Sequence, residues 1–285
     1  MHTIKYQIFV PGGNKTALVF GLDGLETDTQ RRKEIQDRIL AKHANDCGGE
    51  VEQVGFVSLD AGNPRLIMAG GEFCGNATRT AAAYYLNNTA GEIEINVSGA
   101  TKPLRAGRRV SGEVWAEMPV YAELDRAVKP LPNGTYWVMM DGISHLVVPQ
   151  RIAAPYLERI FTCANKADQL SIALNLLEQT IAECKLPTGD AYGVMFLENT
   201  VDMIAMHPFV HVKTAGTTYY ETGCGSGAMS VGLVSSLFHG GSVKLSLIQP
   251  SGKAICADVE YDAAGKVWGK ISGAVDCGEV FELCD

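Results

Sequence analysis

The sequence predicts an α+β protein made of two similar units. In both halves, short apolar segments bounded by Gly, Pro, Asn and Asp indicate strands. Each half also holds one longer segment with helical periodicity and one Cys-Gly turn followed by a run of small and apolar residues, which is typical of a buried helix. Because the same order of segments recurs, we interpret the chain as a pseudo-repeat with its boundary near 120–130.

In the first half, polar-apolar alternation or apolar runs place strands at 1–10, 15–21, 51–59, 66–68, 92–98, 102–108 and 112–119. The second of these strands is expected to end at the turn Asp23-Gly24. Apolar residues at helical spacing predict a helix over 29–45, and a second helix runs from Cys74 to about 88.

In the second half, the same reasoning places strands at 135–140, 145–148, 191–198, 201–207, 210–213, 243–248, 254–260 and 267–273. A long helix is predicted over 168–184, and another from Cys224 to about 238. No low-complexity linker separates the halves.

The composition is that of an ordinary globular protein. The chain has 285 residues, of which 46% are hydrophobic and 20% charged, so it can bury a large core. Its net charge is −8 and it has no cluster of Lys and Arg, which argues against nucleic acid and anionic membranes as partners. It shows neither a transmembrane stretch nor a signal peptide, so we expect a cytoplasmic location.

The cysteines are expected to be reduced thiols. There are eight of them, and they form no C-x-x-C pair, which leaves a zinc ribbon or a thioredoxin-like motif unsupported. Six of them are interpreted as small buried hydrophobic residues: Cys47, Cys163, Cys184, Cys256, Cys277 and Cys284.

Cys74 and Cys224 differ from the others, because each follows a Glu and precedes a turn of small residues that opens a helix. A helix N-terminus lowers the pKa of a thiol and supplies backbone N–H groups that bind an anion. We expect these groups to hold a substrate carboxylate at the residues after each cysteine: Gly75, Asn76, Gly225 and Ser226. Two thiols aimed at one carbon would remove a proton from one face and return one to the other, with no metal and no Schiff-base cofactor.

With these motifs, the chain resembles the diaminopimelate epimerase family of cofactor-independent amino-acid racemases over nearly its whole length. The matching segments are Gly13-Asn14, Cys74-Gly75-Asn76, His145, Cys224-Gly225-Ser226-Gly227, Gln249-Pro250-Ser251-Gly252 and Ile271-Ser272-Gly273-Ala274. The resemblance implies two pseudo-symmetric domains, each a sheet or barrel wrapped around a central helix, at 1–122 (with about 274–285) and 123–273. It also implies two-base racemisation by the two cysteines, a His145 that tunes their protonation, and a homodimer.

The chain departs from that family where diaminopimelate would be recognised. Ala77 stands where a Gly is usual, Ile67-Met68-Ala69 lacks an Asn, and the segment from Gly216 to Glu221 lacks an Arg. The segments Glu52-Gln53-Val54-Gly55-Phe56 and 71–78 look closer to the histidine racemase of staphylopine-type metallophore biosynthesis. That resemblance implies that Glu52 faces the substrate side chain, where a carboxylate would suit an imidazole donor or an ammonium group.

Other readings of the sequence stay open. Asn14 is a candidate for binding the α-amino or carboxylate group, and Glu221 for modulating the nearby thiol or binding substrate. His207 and His211 are disfavoured as metal ligands, because a strand places residues at this spacing far apart. Alternative functions are diaminopimelate epimerase, a broad-specificity basic amino-acid racemase, a non-catalytic amino-acid-binding protein of the same fold, or a thiol redox protein.

Overall fold

The structure is a computed structural model that describes residues 3–21, 28–45, 50–60, 62–87, 89–199, 203–213 and 216–284. Cys47 and the predicted turn Asp23-Gly24 lie outside the described residues. The chain divides into two compact units, one formed by Met1–Glu117 with Ser272–Asp285 and the other by Met118–Ile271.

The elements follow one another along the chain in an order that repeats strand-rich segments around helices. The first elements are β1 (Thr3–Pro11), β2 (Thr16–Phe20), α1 (Thr29–Lys42), β3 (Gln53–Asp60), β4 (Asn63–Met68), α2 (Gly75–Tyr85), β5 (Gly91–Val97), β6 (Leu104–Arg108) and β7 (Val114–Met118). The next are α3 (Leu124–Ala127), β8 (Val128–Pro130), β9 (Tyr136–Met140), β10 (Ile143–Val148), α4 (Gln150–Thr162), α5 (Lys166–Cys184), β11 (Ala191–Asn199), β12 (Ile204–Val212) and β13 (Thr217–Tyr220). The last are α6 (Gly225–His239), β14 (Val243–Ile248), β15 (Ala254–Tyr261), β16 (Val267–Gly273) and β17 (Val275–Cys284).

In the first unit, a sheet surrounds the central helix α2. Strand β1 pairs antiparallel with β17 and β2, β2 pairs parallel with β3, and the sheet continues through β4, β5, β6 and β7. Helix α2 packs against β1 to β6 and β17, and its residues from Gly75 to Ala83 are buried. Small side chains at these positions, mostly Ala and Thr, allow the strands to approach the helix from all sides.

The second unit has the same plan around α6. Strands β8 to β13 pair in sequence, with β10 and β11 parallel, and β14 pairs with β12 and β15. Helix α6 packs against β8 to β11, β14 and β15 and is buried over most of its length. Helices α4 and α5 cover the opposite face of this sheet and share a core with β11 and β12 that includes Leu157, Leu177, Phe196 and Phe209.

The α+β class predicted from the sequence is confirmed, and so is the central helix that follows each Cys-Gly turn. Among the described residues, none of the helices combines the length and the hydrophobicity that crossing a membrane requires.

Some elements were predicted wrongly or missed. The two strands predicted at 201–207 and 210–213 are one strand, β12, which continues through Pro208 opposite Met195. Helix α4 was not predicted, because Pro155 lies inside it; its buried stripe of Ala153, Leu157 and Ile160 nevertheless holds the helix against the core. The short elements α3, β8 and β13 and the last strand β17 were also not recognised from periodicity.

Candidate active site

Cys74 forms the N-cap of helix α2 in the first unit. Its backbone is extended, and its Sγ accepts a hydrogen bond from the backbone N–H of Ala77 at 3.4 Å. The Thr78 hydroxyl and backbone N–H both donate to the Cys74 carbonyl, at 2.8 and 2.9 Å. These contacts fix the sulfur at the positive end of the helix dipole, where a thiolate is stabilised.

Cys224 occupies the same position at helix α6 in the second unit. Its backbone is also extended, and its Sγ accepts from the backbone N–H of Gly227, again at 3.4 Å. Its own N–H donates to Oε1 of Gln249 at 2.9 Å, and the Nε2 of that buried glutamine donates to the Leu247 carbonyl. The two units therefore hold their cysteines by the same capping contact.

Gly227 is needed for this geometry in the second unit. A Cβ added there would lie 2.3 Å from Sδ of Met195 and 3.2 Å from Sγ of Cys224. In the first unit the equivalent residue is Ala77, which is fully buried and still donates its N–H to Cys74. The departure from the family's usual glycine therefore leaves the capping bond intact, because that bond uses only the backbone.

A chain of hydrogen bonds connects Glu52 to the Cys74 sulfur. Asn14, which is fully buried, donates from Nδ2 to Oε2 of Glu52 at 2.8 Å. The Asn14 Oδ1 accepts from Nε2 of Gln53 at 2.9 Å and from the Thr16 hydroxyl at 3.1 Å. The Oε1 of Gln53 then lies 2.7 Å from Sγ of Cys74. Two of the predicted site residues, Asn14 and Glu52, are thereby brought into one network with Cys74.

The direction of this chain places an acceptor oxygen against the Cys74 sulfur. Because the Glu52 carboxylate only accepts, Asn14 must present its amide nitrogen to Glu52 and its oxygen to Gln53. Gln53 therefore turns its carbonyl oxygen towards Cys74, and a carbonyl oxygen can only accept. In this arrangement the Cys74 thiol donates a hydrogen bond to Gln53.

Cys224 is also held as a thiol. It is buried, and burial, the nearby Glu221 carboxylate and the hydrogen bond to that carboxylate raise the pKa of its thiol well above the usual value. Hydrogen bonds from Ser226 and from the Gly227 N–H act in the opposite direction and lower that pKa. Glu221 is thus placed where its charge adds to the effect of burial in raising the pKa of the Cys224 thiol.

His145 is connected to Cys224 by two contacts of the Ser226 hydroxyl. Its Nε2 lies 2.9 Å from the Ser226 hydroxyl, and that hydroxyl lies 3.5 Å from Sγ of Cys224. Complete burial lowers the pKa of His145 to about 3, so the ring is neutral at physiological pH. Its Nδ1 has no hydrogen-bond partner among the described residues and faces Gly193, where an added Cβ would lie 3.0 Å from it.

An unpaired N–H in the interior is rarer than an unpaired acceptor, which favours the tautomer with the proton on Nε2. His145 then donates to the Ser226 oxygen, and the Ser226 hydroxyl donates to the Cys224 sulfur. The neutral ring thereby orients a hydroxyl dipole that stabilises a thiolate at Cys224.

The remaining predicted residues have local partners. Gly75 and Gly225 are the first residues of their helices, and Asn76 is buried with its Oδ1 accepting from Arg79 at 2.9 Å. The role of Asn76 in binding substrate therefore stays a prediction. The His207 ring is hydrogen-bonded to Tyr220 and Glu198, whereas the His211 ring is hydrogen-bonded to Thr218. The two rings therefore have separate hydrogen-bond partners. In the part of the chain that the structure describes, no three His, Cys, Asp or Glu side chains cluster as a metal site would require.

Gln53 and Gln249 contact the two thiol turns, although no role for either glutamine was predicted from the sequence. Gln53 is half-buried at the start of β3 beside the candidate Glu52, and Gln249 is a buried polar residue within the Gln-Pro-Ser-Gly motif. A polar side chain that lies next to a candidate residue at a strand end can indicate a further site residue, because a buried amide needs hydrogen-bond partners.

Comparison with known proteins identifies the family. The model described as "Histidine racemase CntK N-terminal domain" matches residues 3–279 of the chain. A histidine racemase from Fusobacterium nucleatum subsp. nucleatum is 27% identical over 237 residues, which cover 78% of this chain and 77% of that relative.

Solved structures show the same fold at low sequence identity. A phenazine biosynthesis protein of the PhzF family from Bacillus anthracis superposes with a TM-score of 0.63 at 15% identity, and each chain is covered completely. A hydroxyproline epimerase from Agrobacterium vitis gives a TM-score of 0.62 at 12% identity, covering 99% of this chain and 92% of that one. The resemblance to a histidine racemase seen in the sequence is confirmed, and the chain belongs to the CntK histidine racemase family.

Proposed function

We propose that this protein is a cofactor-independent racemase that interconverts L- and D-histidine with Cys74 and Cys224 as its two bases. The observation that carries the proposal is the duplicated cap. Each unit presents one cysteine at the N-terminus of a buried helix, with its sulfur bonded to the backbone N–H three residues later. The family match supports histidine as the substrate.

The reaction needs one thiolate and one thiol. The thiolate takes the α-proton of histidine, and the electron pair of the broken C–H bond is delocalised into the substrate carboxylate. Backbone N–H groups at the start of α2 and α6 are the donors that would stabilise this developing charge. The thiol of the other cysteine then gives its proton to the opposite face of the carbon, which inverts the configuration. The reverse reaction restores the original protonation of the pair.

Glu221 would couple substrate binding to activation. Together with burial, its carboxylate raises the pKa of the Cys224 thiol well above the usual value. The α-ammonium group of the substrate, paired with Glu221, would cancel this effect and lower the pKa of Cys224. Ser226 and the Gly227 N–H would then stabilise the thiolate that forms.

Glu52 would recognise the side chain of histidine. Its carboxylate accepts from Asn14 at one end of the hydrogen-bonded chain that reaches Cys74 at the other end. A carboxylate can accept a hydrogen bond from an imidazole N–H and also stabilise an imidazolium ion. The same chain orients Gln53 towards Cys74, so the group that binds the side chain and a reacting thiol are held by one network.

The proposed substrate is tested by a chiral assay over L-histidine, L-lysine and diaminopimelate with no cofactor added. We expect inversion of histidine at the highest kcat/KM. Replacing Glu52 by Gln should lower kcat/KM for histidine by roughly 10- to 100-fold, the value of a charge-assisted hydrogen bond. Glu50→Gln, which removes a neighbouring exposed carboxylate, is the matched control and should leave kcat/KM unchanged.

Two outcomes would contradict this assignment. A preference for diaminopimelate would refute histidine as the substrate, and equal losses in the two Glu variants would remove the special role of Glu52.

We also propose that the protein is cytoplasmic, because the reducing conditions there keep both thiols free. We further propose that it forms a homodimer, which sedimentation at several protein concentrations would test.

A further inference from the structure

The segment that leads from β4 into Cys74 is held by two residues of the loop after β5. The Ser98 hydroxyl accepts a hydrogen bond from the Met68 backbone N–H at 2.9 Å and donates one to the Glu72 carbonyl at 2.7 Å. Met68 is the last residue of β4, and Glu72 lies two residues before Cys74. One hydroxyl therefore joins both ends of the turn that connects the strand to the cysteine.

Gly99 holds the same segment by close packing. It has a φ of +75°, and a Cβ added to it would lie 2.9 Å from the carbonyl carbon of Glu72 and closer still to the backbone nitrogen of Phe73. These two atoms form the peptide bond whose oxygen accepts from Ser98. Because the clash would be with backbone and φ is positive, only glycine fits here. The Ser98-Gly99 pair therefore fixes the peptide bond between Glu72 and Phe73.

The second unit fixes the equivalent peptide bond with a similar pair. The carbonyl two residues before its cysteine, that of Thr222, accepts from the backbone N–H of Ser251 at 3.0 Å. Ser251-Gly252 lies after β14, the strand that follows α6, just as Ser98-Gly99 lies after β5, the strand that follows α2. Gly252 also has a positive φ, of +76°. Holding the carbonyl before each cysteine is thus a feature that both units share.

The Ser98-Gly99 pair completes the contacts that orient Cys74. The Cys74 sulfur accepts from the Ala77 N–H and lies 2.7 Å from Oε1 of Gln53. The Cys74 carbonyl accepts from Thr78, one turn further along the chain. These contacts act on the side chain and on the helix side of Cys74, whereas the pair fixes the backbone on the opposite side. Proton transfer depends on such placement, because an error of about 1 Å costs roughly 100-fold in rate.

We propose that Ser98 and Gly99 are positioning residues for the proton transfers of Cys74. They act through the peptide bond between Glu72 and Phe73 and not on the substrate itself. The inference rests on the proposed function, because it requires Cys74 to be one of the two bases. Loss of the pair should impair the steps in which Cys74 takes or gives a proton and leave the steps of Cys224 intact.

The role of the hydroxyl is tested with Ser98→Ala and with Ser111→Ala as its matched control. Ser111-Gly112 is also a Ser-Gly turn of the first unit with a positive φ at the glycine, +90°, but its serine is exposed. Ser98→Ala should lower kcat for L-histidine roughly five- to tenfold, the value of one hydrogen bond, and change KM by less than about twofold. Ser111→Ala should leave kcat and KM unchanged.

The role of the glycine is tested with Gly99→Ala against Gly112→Ala. Both variants carry the strain of a positive φ, but a Cβ on Gly112 would lie at an ordinary distance of 3.6 Å from the Arg108 guanidinium. The difference between them therefore measures the contact with the backbone before Cys74. Gly99→Ala should lower kcat by roughly tenfold or more, and Gly112→Ala should retain it. If Gly99→Ala does not fold, Ser98→Ala decides the test.

Deuterium isotope effects separate positioning from a loss of folded protein. They are measured on kcat/KM with L- and D-histidine deuterated at the α-carbon. In one direction Cys74 removes the α-hydrogen, and in the other it delivers one after Cys224 has removed it. In Ser98→Ala the isotope effect should rise in the first direction, where removal becomes more rate-limiting, and fall in the second. A smaller folded fraction would lower both rates and leave both isotope effects unchanged.

Two results would overturn the positioning role. One is equal behaviour of Ser98→Ala and Ser111→Ala, and the other is a pair of isotope effects in Ser98→Ala that match those of the wild type. Cys74→Ala, measured alongside, tests the proposed function separately. Racemisation by Cys74→Ala would refute Cys74 as a base. An inactive Cys74→Ala together with a Ser98→Ala variant that equals its control would refute only the positioning role.

Discussion

The buried neutral His145 predicts a specific loss of stability in acid. Its pKa is lowered to about 3 by burial, whereas an unfolded histidine titrates at 6.5. Between these values the unfolded chain binds a proton that the folded protein does not bind, so the free energy of unfolding falls as the pH falls. At pH values above the pKa of the unfolded histidine, the contribution of His145 to the free energy of unfolding is constant. Replacing His145 by Gln keeps a side chain able to bond Ser226 but removes the titration.

The expected size follows from the two pKa values. At pH 4.5 the histidine lowers the free energy of unfolding by roughly 2–3 kcal/mol relative to pH 7, because each pKa unit is worth about 1.4 kcal/mol. Carboxylates also titrate in this range, but they do so in the wild type and in the variant alike. The difference between the two proteins therefore isolates His145.

The assay is urea-induced unfolding followed by circular dichroism at pH 7 and at pH 4.5. The wild type should lose roughly 2–3 kcal/mol more than His145→Gln over this interval. The control is His239→Gln, at an exposed residue that bonds the Ser235 carbonyl, and it should lose as much as the wild type. Equal losses in all three proteins would show that His145 titrates normally and would refute the buried neutral ring.

Three further predictions concern the two thiols. Glu221→Gln removes a charge that, with burial, raises the pKa of Cys224, so the pH midpoint of Cys224 alkylation should move to lower pH. An unchanged midpoint would contradict the effect of Glu221 on this thiol. Gln53→Met removes the oxygen that accepts a hydrogen bond from the Cys74 thiol. This variant should lower kcat roughly tenfold and leave the free energy of unfolding nearly unchanged. An unchanged kcat would show that the contact has no role in the reaction. Gly227→Ala places a Cβ 2.3 Å from a methionine sulfur and should cost about 1–3 kcal/mol of stability and most activity. Gly241→Ala, which has no atom within 4 Å of the added carbon, should be neutral, and equal effects would refute the packing argument.

The sequence predicted the parts of the site that depend on local order. A cysteine, a turn of small residues and a buried helix follow one another directly, so the caps at Cys74 and Cys224 were recognisable from the chain alone. Helix α4 was missed because Pro155 breaks the usual rule for a helix interior, and tertiary burial of Leu157 and Ile160 overrides it.

The hydrogen-bond partners of the thiols could not be predicted in the same way. Gln53 reaches Cys74 from the start of β3, and its orientation depends on the adjacent Glu52 and on Asn14, which lies between β1 and β2. Likewise, nothing near His145 in the sequence indicates that it meets Ser226, because parallel pairing and the packing of α6 bring them together. Local patterns thus identify the two cysteines proposed to react, whereas the groups that hydrogen-bond to them depend on the folded structure.

The most direct test of the account is racemisation of L-histidine in D₂O by the wild type, Cys74→Ala and Cys224→Ala, with Cys184→Ala as control. The wild type and the control should form D-histidine that carries one deuterium at the α-carbon, because the delivering thiol has exchanged with solvent. Both active-site variants should form no D-histidine. Inversion by either single variant, or D-histidine that keeps its original α-proton, would contradict the two-thiol mechanism.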